Sequence, residues 1–417
     1  MSTIQVGGGQ AVITPGLGAS LAGYFEARQA TAIHDDLYAR ALALGADGEA
    51  VILMCCDVIC MPFELTAAIR AEITRLTGVP GSRIMISSTH THTAPQPRAF
   101  MLKPEDTATR VWLEGLPARA AQAAVAAMAA RETCTLAGAA VMEDRIAWNR
   151  RYRMRDGSVR TNPGYQNPDI VGPAAPIDPE VGVLAFRRAD GSLKALYVNY
   201  ACHQDCVGGT EVSADYTGYL VRRLQERLEG APFVLFTNGA CGDINHCDVR
   251  SPYPRKGHEH ARWMGETLAG DVCQALGKLQ PLAASPLVVA SEPASLPLRD
   301  DATVDPSWRT IDIQAIRLGD VGFVGIPAEY FVELQLDIRR RSPLARTFLA
   351  ELANGWVGYI PTRKAFEENL AHVSAEPMTT FEHMGYEVRS ALARGFVPGV
   401  GEVMADAAVR ALQATQG

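Results

Sequence analysis

At 417 residues, 47% of them hydrophobic and 20% charged, the chain has the composition of a globular protein able to hold one large α/β unit or two lobes. A formal net charge of −7 with no basic run excludes a general polyanion-binding surface, and with it nucleic acid as a partner. The opening MSTIQVGGGQAVITPG lacks signal-peptide character, no apolar run approaches the roughly 20 residues of a membrane span, and the nine scattered cysteines suit buried thiols, so the expectation is a cytoplasmic protein without stable membrane insertion.

The first informative stretch runs from Ala50 to Pro95. VILMCCDVICM is an apolar run suited to a buried strand, and Leu65, Ile69, Ile73 and Leu76 then fall at helical spacing, with Gly78 placed to cap the helix. RIMISST follows as a second buried strand and delivers the chain to SSTHTHTAP, which holds His90 and His92. An alanine-rich helix is expected over 118–130, with Pro117 in its first turn, and residues 151–180 read as a long irregular connection. A second strand–helix–strand unit follows. ALYVNYA ends at His203, Leu220, Leu224 and Leu228 mark a helix that Gly230 can stop, and FVLFTN leads into GACGDIN. Beyond it, IDIQAIRLGDVGFVGI predicts a hairpin turning at Gly319-Asp320, and AEYFVELQLDIRRR predicts a helix beginning beside Glu329. Residues 367–385 form a polar excursion with the character of a lid, and GEVMADAAVRALQ predicts a last helix. No Pro/Ser linker divides the chain, so the expectation is an α/β fold, a mixed sheet with helices packed on it, in one domain spanning 1–417.

The polar residues of the two units share a location. Asp57, His90, His203, Asn238 and Asp243 all lie at or just beyond the carboxyl ends of predicted strands, the edge where open α/β sheets bind ligands. On an extended segment His90 and His92 would face one pocket. In the second HxH, His258 and His260 enter a predicted helix, where the same spacing is about 200° of rotation. They should point apart as surface residues. A hydrolytic zinc site takes about three protein ligands and keeps a position open. His90 and His203 are the best-placed imidazoles, and pattern alone leaves the carboxylate open among Asp57, Asp215, Asp243 and Glu329.

An ordered set of segments resembles the neutral/alkaline (non-lysosomal) ceramidase family of zinc-dependent amidases. QAVITPG, HDDLYARAL, SSTHTHTAP, WNR at 148–150, NYACH at 199–203, SADYTGY, TNGACGDIN, PAE at 327–329, GYIPT at 358–362 and YEV at 386–388 follow the family's order over nearly the whole chain. The resemblance implies a catalytic domain of that fold and one zinc per chain, bound by His90, His203, Glu329 and Tyr359. It implies His92 as the acid/base and Arg150 and Tyr386 beside the reaction centre. The reaction implied is hydrolysis of a linear amide by zinc-activated water. Asn245, with Asp57 and Asn238, is assigned to substrate binding.

The chain departs from the family at Asn245, where ceramidases usually carry Ser, and the helix-like GEVMADAAVRALQ at its close gives the expectation of a catalytic domain without the family's C-terminal immunoglobulin-like domain. Both departures point away from ceramide toward a small soluble amide. The alternatives are an ester or lactone hydrolase on the same site, a two-metal phosphoesterase, and a catalytically degenerate member that only binds a ligand. Oligomeric state is unread.

Overall fold

The structure, a computed structural model, describes residues 3–46, 48–371 and 384–417. The first half holds strands β1 (Thr3–Val12), β2 (Tyr38–Ala46) and β3 (Glu49–Cys56), helix α1 (Phe63–Thr77), strand β4 (Ile84–Ser88) and helix α2 (Thr107–Ala129). Then come β5 (Glu132–Met142), β6 (Glu180–Arg187), β7 (Leu193–Tyr200), α3 (Asp215–Arg227), β8 (Phe233–Asn238) and α4 (His258–Leu276). The last third holds β9 (Leu287–Ser295), β10 (Thr310–Leu318), β11 (Val321–Ile326), α5 (Val332–Arg341), β12 (Arg346–Glu351), α6 (Arg363–Leu370), α7 (Tyr386–Ala393) and α8 (Val400–Ala414).

Both strand–helix–strand units read from the sequence are present, and they occupy opposite edges of one large mixed sheet. Its order is β8-β7-β6-β5-β1-β2-β3-β4; the edge pairs β7–β8 and β3–β4 are parallel and the inner pairs antiparallel. A smaller sheet, β9-β10-β11-β12, contains the expected hairpin with Leu318 paired to Val321, and its parallel pair β11–β12 is bridged by α5. The inner faces of the two sheets share a core through Leu53, Leu184, Phe186, Tyr197, Phe323 and Phe348. Helices cover the outer faces: α1 and α2 on one half of the large sheet, α3 and α4 on the other, α5 to α8 on the small sheet. The architecture is therefore helix, sheet, sheet, helix, the arrangement that lets a sheet buried on both sides be built from apolar runs. The large sheet curls until its edges meet. Asn238, ending β8, donates to the Thr89 carbonyl just past β4 at 2.9 Å, which brings the two histidine-bearing loops to one place.

Local chemistry explains the helix limits. In α1, Ile69 and Ile73 are buried, and Gly78 at φ 76° donates back to the Thr74 carbonyl, the left-handed cap that glycine adopts without strain. Gly9 in β1 faces α2 so closely that any Cβ would collide with the α2 backbone at Ala123 and Ala127. Gly9→Val is expected to cost about 3 kcal/mol, the upper end of the overpacking range. A urea melt with an unshifted midpoint would show that α2 can retreat.

Two local expectations change. Helix α2 begins at Thr107, so Pro117 lies inside it. The penalty of about 3 kcal/mol for an internal proline is outweighed by the segment before it, where Trp112 and Leu116 are buried and Trp112 donates to the Ile13 carbonyl at 2.6 Å. Residues 151–180 are not wholly irregular; Arg151–Met154, Val159–Thr161 and Ile170–Pro173 form a small antiparallel sheet. Most of the lid-like excursion at 367–385, namely 372–383, lies outside the described residues. Among the described residues no helix is long and apolar enough to cross a membrane.

Candidate active site

His90 lies two residues beyond β4, at φ 75°. A left-handed conformation in a non-glycine residue costs of the order of 1–3 kcal/mol and is sustained only where surrounding contacts impose it. Here His90 N–H donates to the Val58 carbonyl at 3.0 Å, and the ring Nδ1 reaches the Ile59 carbonyl at 2.6 Å. The segment is thus a turn rather than the extended strand assumed from sequence. It still brings the His92 ring to 5.0 Å from the His90 ring.

His203 leaves β7, and its Nδ1 reaches the Cys241 carbonyl at 2.7 Å. A carbonyl only accepts, so both Nδ1 atoms carry the proton, and in the neutral rings both Nε2 atoms present lone pairs. Those Nε2 atoms face each other at 2.9 Å, with neither ring exposed. The Glu329 carboxylate closes the group, its Oε2 lying 3.5 Å from His90 Nε2 and 3.8 Å from His203 Nε2, while its Oε1 accepts from Trp356 at 3.0 Å. Burial opposes ionisation of Glu329, but the adjacent imidazoles, His90 foremost and then His203, hold its pKa well below the usual carboxylate range. Glu329 and Tyr359 are register partners of two short parallel strands, Glu329–Tyr330 and Tyr359–Ile360, and the Tyr359 hydroxyl lies 3.4 Å from His203 Nε2. Two imidazole nitrogens, a carboxylate and a phenol oxygen therefore converge.

Beside this group opens a cavity of about 900 Å³. Of the residues expected at the reaction centre, His92, Arg150, Tyr359 and Tyr386 all line it. His92 is buried, and neither ring nitrogen has a hydrogen-bond partner among the described residues. Burial, and after it His90, lowers its pKa to about 3. Arg150 donates to Glu387 at 2.6 Å, to the Gly242 carbonyl at 2.8 Å and to the Tyr359 hydroxyl at 3.1 Å. Although burial opposes it, Tyr359 and Glu387 hold the guanidinium pKa well above its ordinary value. Tyr386, the first residue of α7, sets its ring 5.2 Å from Tyr359.

The three residues assigned to substrate binding do not line the cavity. Asp57 is paired with Arg40 at 2.8 Å and accepts from the Tyr38 amide at 2.8 Å, so it ties β3 to β2. Asn238 makes the contact to Thr89 that closes the curled sheet. Asn245 is fully buried and accepts from the Cys247 amide at 3.1 Å; its side-chain amide lies 3.4 Å from Asn162, which does reach the cavity. Each is a strand-end polar group engaged by neighbouring chain, although Asp57 Oδ1 and Asn238 Oδ1 are left without a hydrogen-bond partner among the described residues. Asp243 likewise accepts from the Val332 amide and from Asn149, and Asp215 from the Val207 and Tyr216 amides, which leaves Glu329 as the carboxylate at the histidines.

Sequence reasoning missed Tyr24, Arg160 and Asp205 in the cavity wall, and Glu387 behind Arg150. The only available signals were adjacency, Asp205 two residues after His203 and Glu387 next to Tyr386. His258 and His260 do diverge as expected: the first stacks on His34 and the second on Trp263.

At this centre two overlapping sets of side chains could hold a metal ion on donor type and spacing. His90, His92 and His203 form one buried three-histidine set. The other keeps His90 and His203 and completes the site with Glu329 and Tyr359.

No protein-family model matches the sequence, and no curated protein matches it. Solved structures do match. A ceramidase complexed with C2 aligns at a TM-score of 0.78 and 18% identity, covering 99% of this chain and 75% of that one. The neutral ceramidase from Pseudomonas aeruginosa aligns at 0.76 and 18% identity over the same shares. The fold of this chain is that of the neutral ceramidases.

Proposed function

We propose that this protein is a zinc-dependent hydrolase of linear amides, acting in the cytoplasm on a small soluble N-acyl substrate. The observation that carries the reading is the pair of lone-pair-bearing Nε2 atoms held 2.9 Å apart. Two such acceptors repel unless a cation lies between them, and each is locked in this tautomer by a backbone carbonyl. The donors fit zinc, which takes imidazole nitrogen and carboxylate oxygen. One ion per chain would be held by His90, His203, Glu329 and Tyr359. When bound, it supplies a Lewis acid that polarises an acyl oxygen and activates water at neutral pH.

The chain's own residues supply the rest. Arg150 and the Tyr386 hydroxyl offer donors toward an acyl oxygen that gains negative charge. His92, kept neutral at rest by its lowered pKa and with neither nitrogen hydrogen-bonded among the described residues, stands at the cavity wall where it would relay a proton from the attacking water to the leaving nitrogen. Glu387 holds Arg150 in place. The nine cysteines are all free thiols, in keeping with a reducing compartment. No nucleic-acid or membrane partner enters this reading.

The test is turnover of a panel of N-acyl compounds, esters, lactones and phosphomonoesters by chelator-stripped and zinc-restored protein. Amide hydrolysis lost on stripping and regained with one zinc is the expected result. Phosphomonoester turnover with two ions in the cavity would favour the phosphoesterase, and binding without turnover of any class would leave a ligand-binding protein.

A further inference from the structure

We infer that a second divalent-metal site, built from His34, Glu211 and His258, lies outside the catalytic cavity and clamps two of its wall-bearing segments together. The three residues come from separate parts of the chain. His34 follows the short strand Ala32–Ile33, Glu211 begins the short strand Glu211–Val212 that pairs with it in parallel, and His258 is the first residue of α4. The strand pairing fixes two of the donors, since the His34 amide donates to the Val212 carbonyl at 2.9 Å and the Thr31 amide to the Thr210 carbonyl at 2.9 Å. The His258 ring stacks on that of His34 with centroids 3.6 Å apart, and its Nε2 lies 3.6 Å from Glu211 Oε2. One donor atom from each residue falls within 4.8 Å of the other two.

The Tyr219 hydroxyl sits between the imidazoles, 3.0 Å from His34 Nε2 and 3.3 Å from His258 Nδ1. It orients both rings and leaves His258 Nε2 turned toward Glu211. Two imidazoles and one carboxylate with room for solvent ligands select a first-row ion of the zinc, nickel or copper kind over calcium or magnesium, which require more oxygen ligands.

The position gives the site a role. The segment that ends at His34 carries Tyr24 and Phe25 into the cavity wall, and its Arg28 donates to the His92 carbonyl at 2.7 Å. The segment that ends at Glu211 begins at His203 and carries Asp205 into the same wall. A cation at His34, Glu211 and His258 joins both segments to the start of α4 without touching the cavity itself. The same site predicts that protein held in excess zinc contains about two ions per chain without being a binuclear phosphoesterase.

Zinc titration by calorimetry of the full-length protein, already holding one zinc after dialysis, tests this. Wild type should take up one further zinc per chain and gain in Tm. His34→Ala/His258→Ala should take up none and show no gain, while keeping wild-type amide turnover. Glu211→Gln, a single exposed change, should weaken the uptake at least tenfold and guards against a folding defect in the double variant. Millimolar magnesium should not compete. No second uptake by wild type, or uptake unchanged in Glu211→Gln and in the folded double variant, would overturn the proposal.

Discussion

His92→Ala is expected to lower kcat by roughly 10²–10⁴, the usual worth of a positioned acid/base, while zinc remains bound. The expectation rests on the division of labour among the three histidines. His90 and His203 each spend Nδ1 on a backbone carbonyl and turn Nε2 toward the other and toward Glu329. Among the described residues His92 spends neither nitrogen, and it stands in the cavity wall. A ring whose nitrogens carry no hydrogen bond can exchange protons with substrate, whereas a ring anchored on the far side is built to hold an ion. Metal analysis and turnover on the same preparation separate the possibilities. If His92→Ala loses its zinc along with activity, the three-histidine set is the ligand set and the acid/base must be sought elsewhere.

Arg150→Met should be costly twice over. It removes a donor from the reaction centre, worth about 10²–10³ in kcat, and it strands the fully buried Glu387 carboxylate, whose side-chain partners among the described residues are then reduced to Thr161 at 2.6 Å. Breaking a buried ion pair on one side typically costs about 3–5 kcal/mol. The double variant Arg150→Met/Glu387→Gln removes the stranded charge, so it should recover much of the stability and none of the activity. Urea melts and kcat on the three proteins read the two effects apart. Recovery of activity in the double variant would mean that Arg150 acts only as scaffold.

Much of the framework was legible because long apolar runs, helical spacing and the Gly319-Asp320 turn act over short stretches of chain. VILMCC, RIMISS, LYVNY and FVLFTN became the edge strands of the large sheet. What stayed illegible depends on long-range partners. That the edges meet requires the sheet to curl, which no local pattern encodes. Glu329 and Tyr359 become neighbours only through a strand pairing across thirty residues, so periodicity could not choose Glu329 over Asp57, Asp215 and Asp243. The resemblance to ceramidases did name both. The strand-end rule was too coarse for Asp57, Asn238 and Asn245, whose polar groups satisfy neighbouring chain instead of facing the cavity. Pro117 shows the converse, a local helix signal overridden by the buried Trp112.

Zinc content after exhaustive dialysis, measured by mass spectrometry on wild type and His203→Ala together with N-acyl turnover, tests the central claim most directly. The account predicts close to one zinc per wild-type chain, the ion held at the four converging donors, and loss of both ion and turnover in His203→Ala. Zinc and turnover retained in a folded His203→Ala variant would contradict it, and so would a wild-type protein that hydrolyses amides with no metal bound.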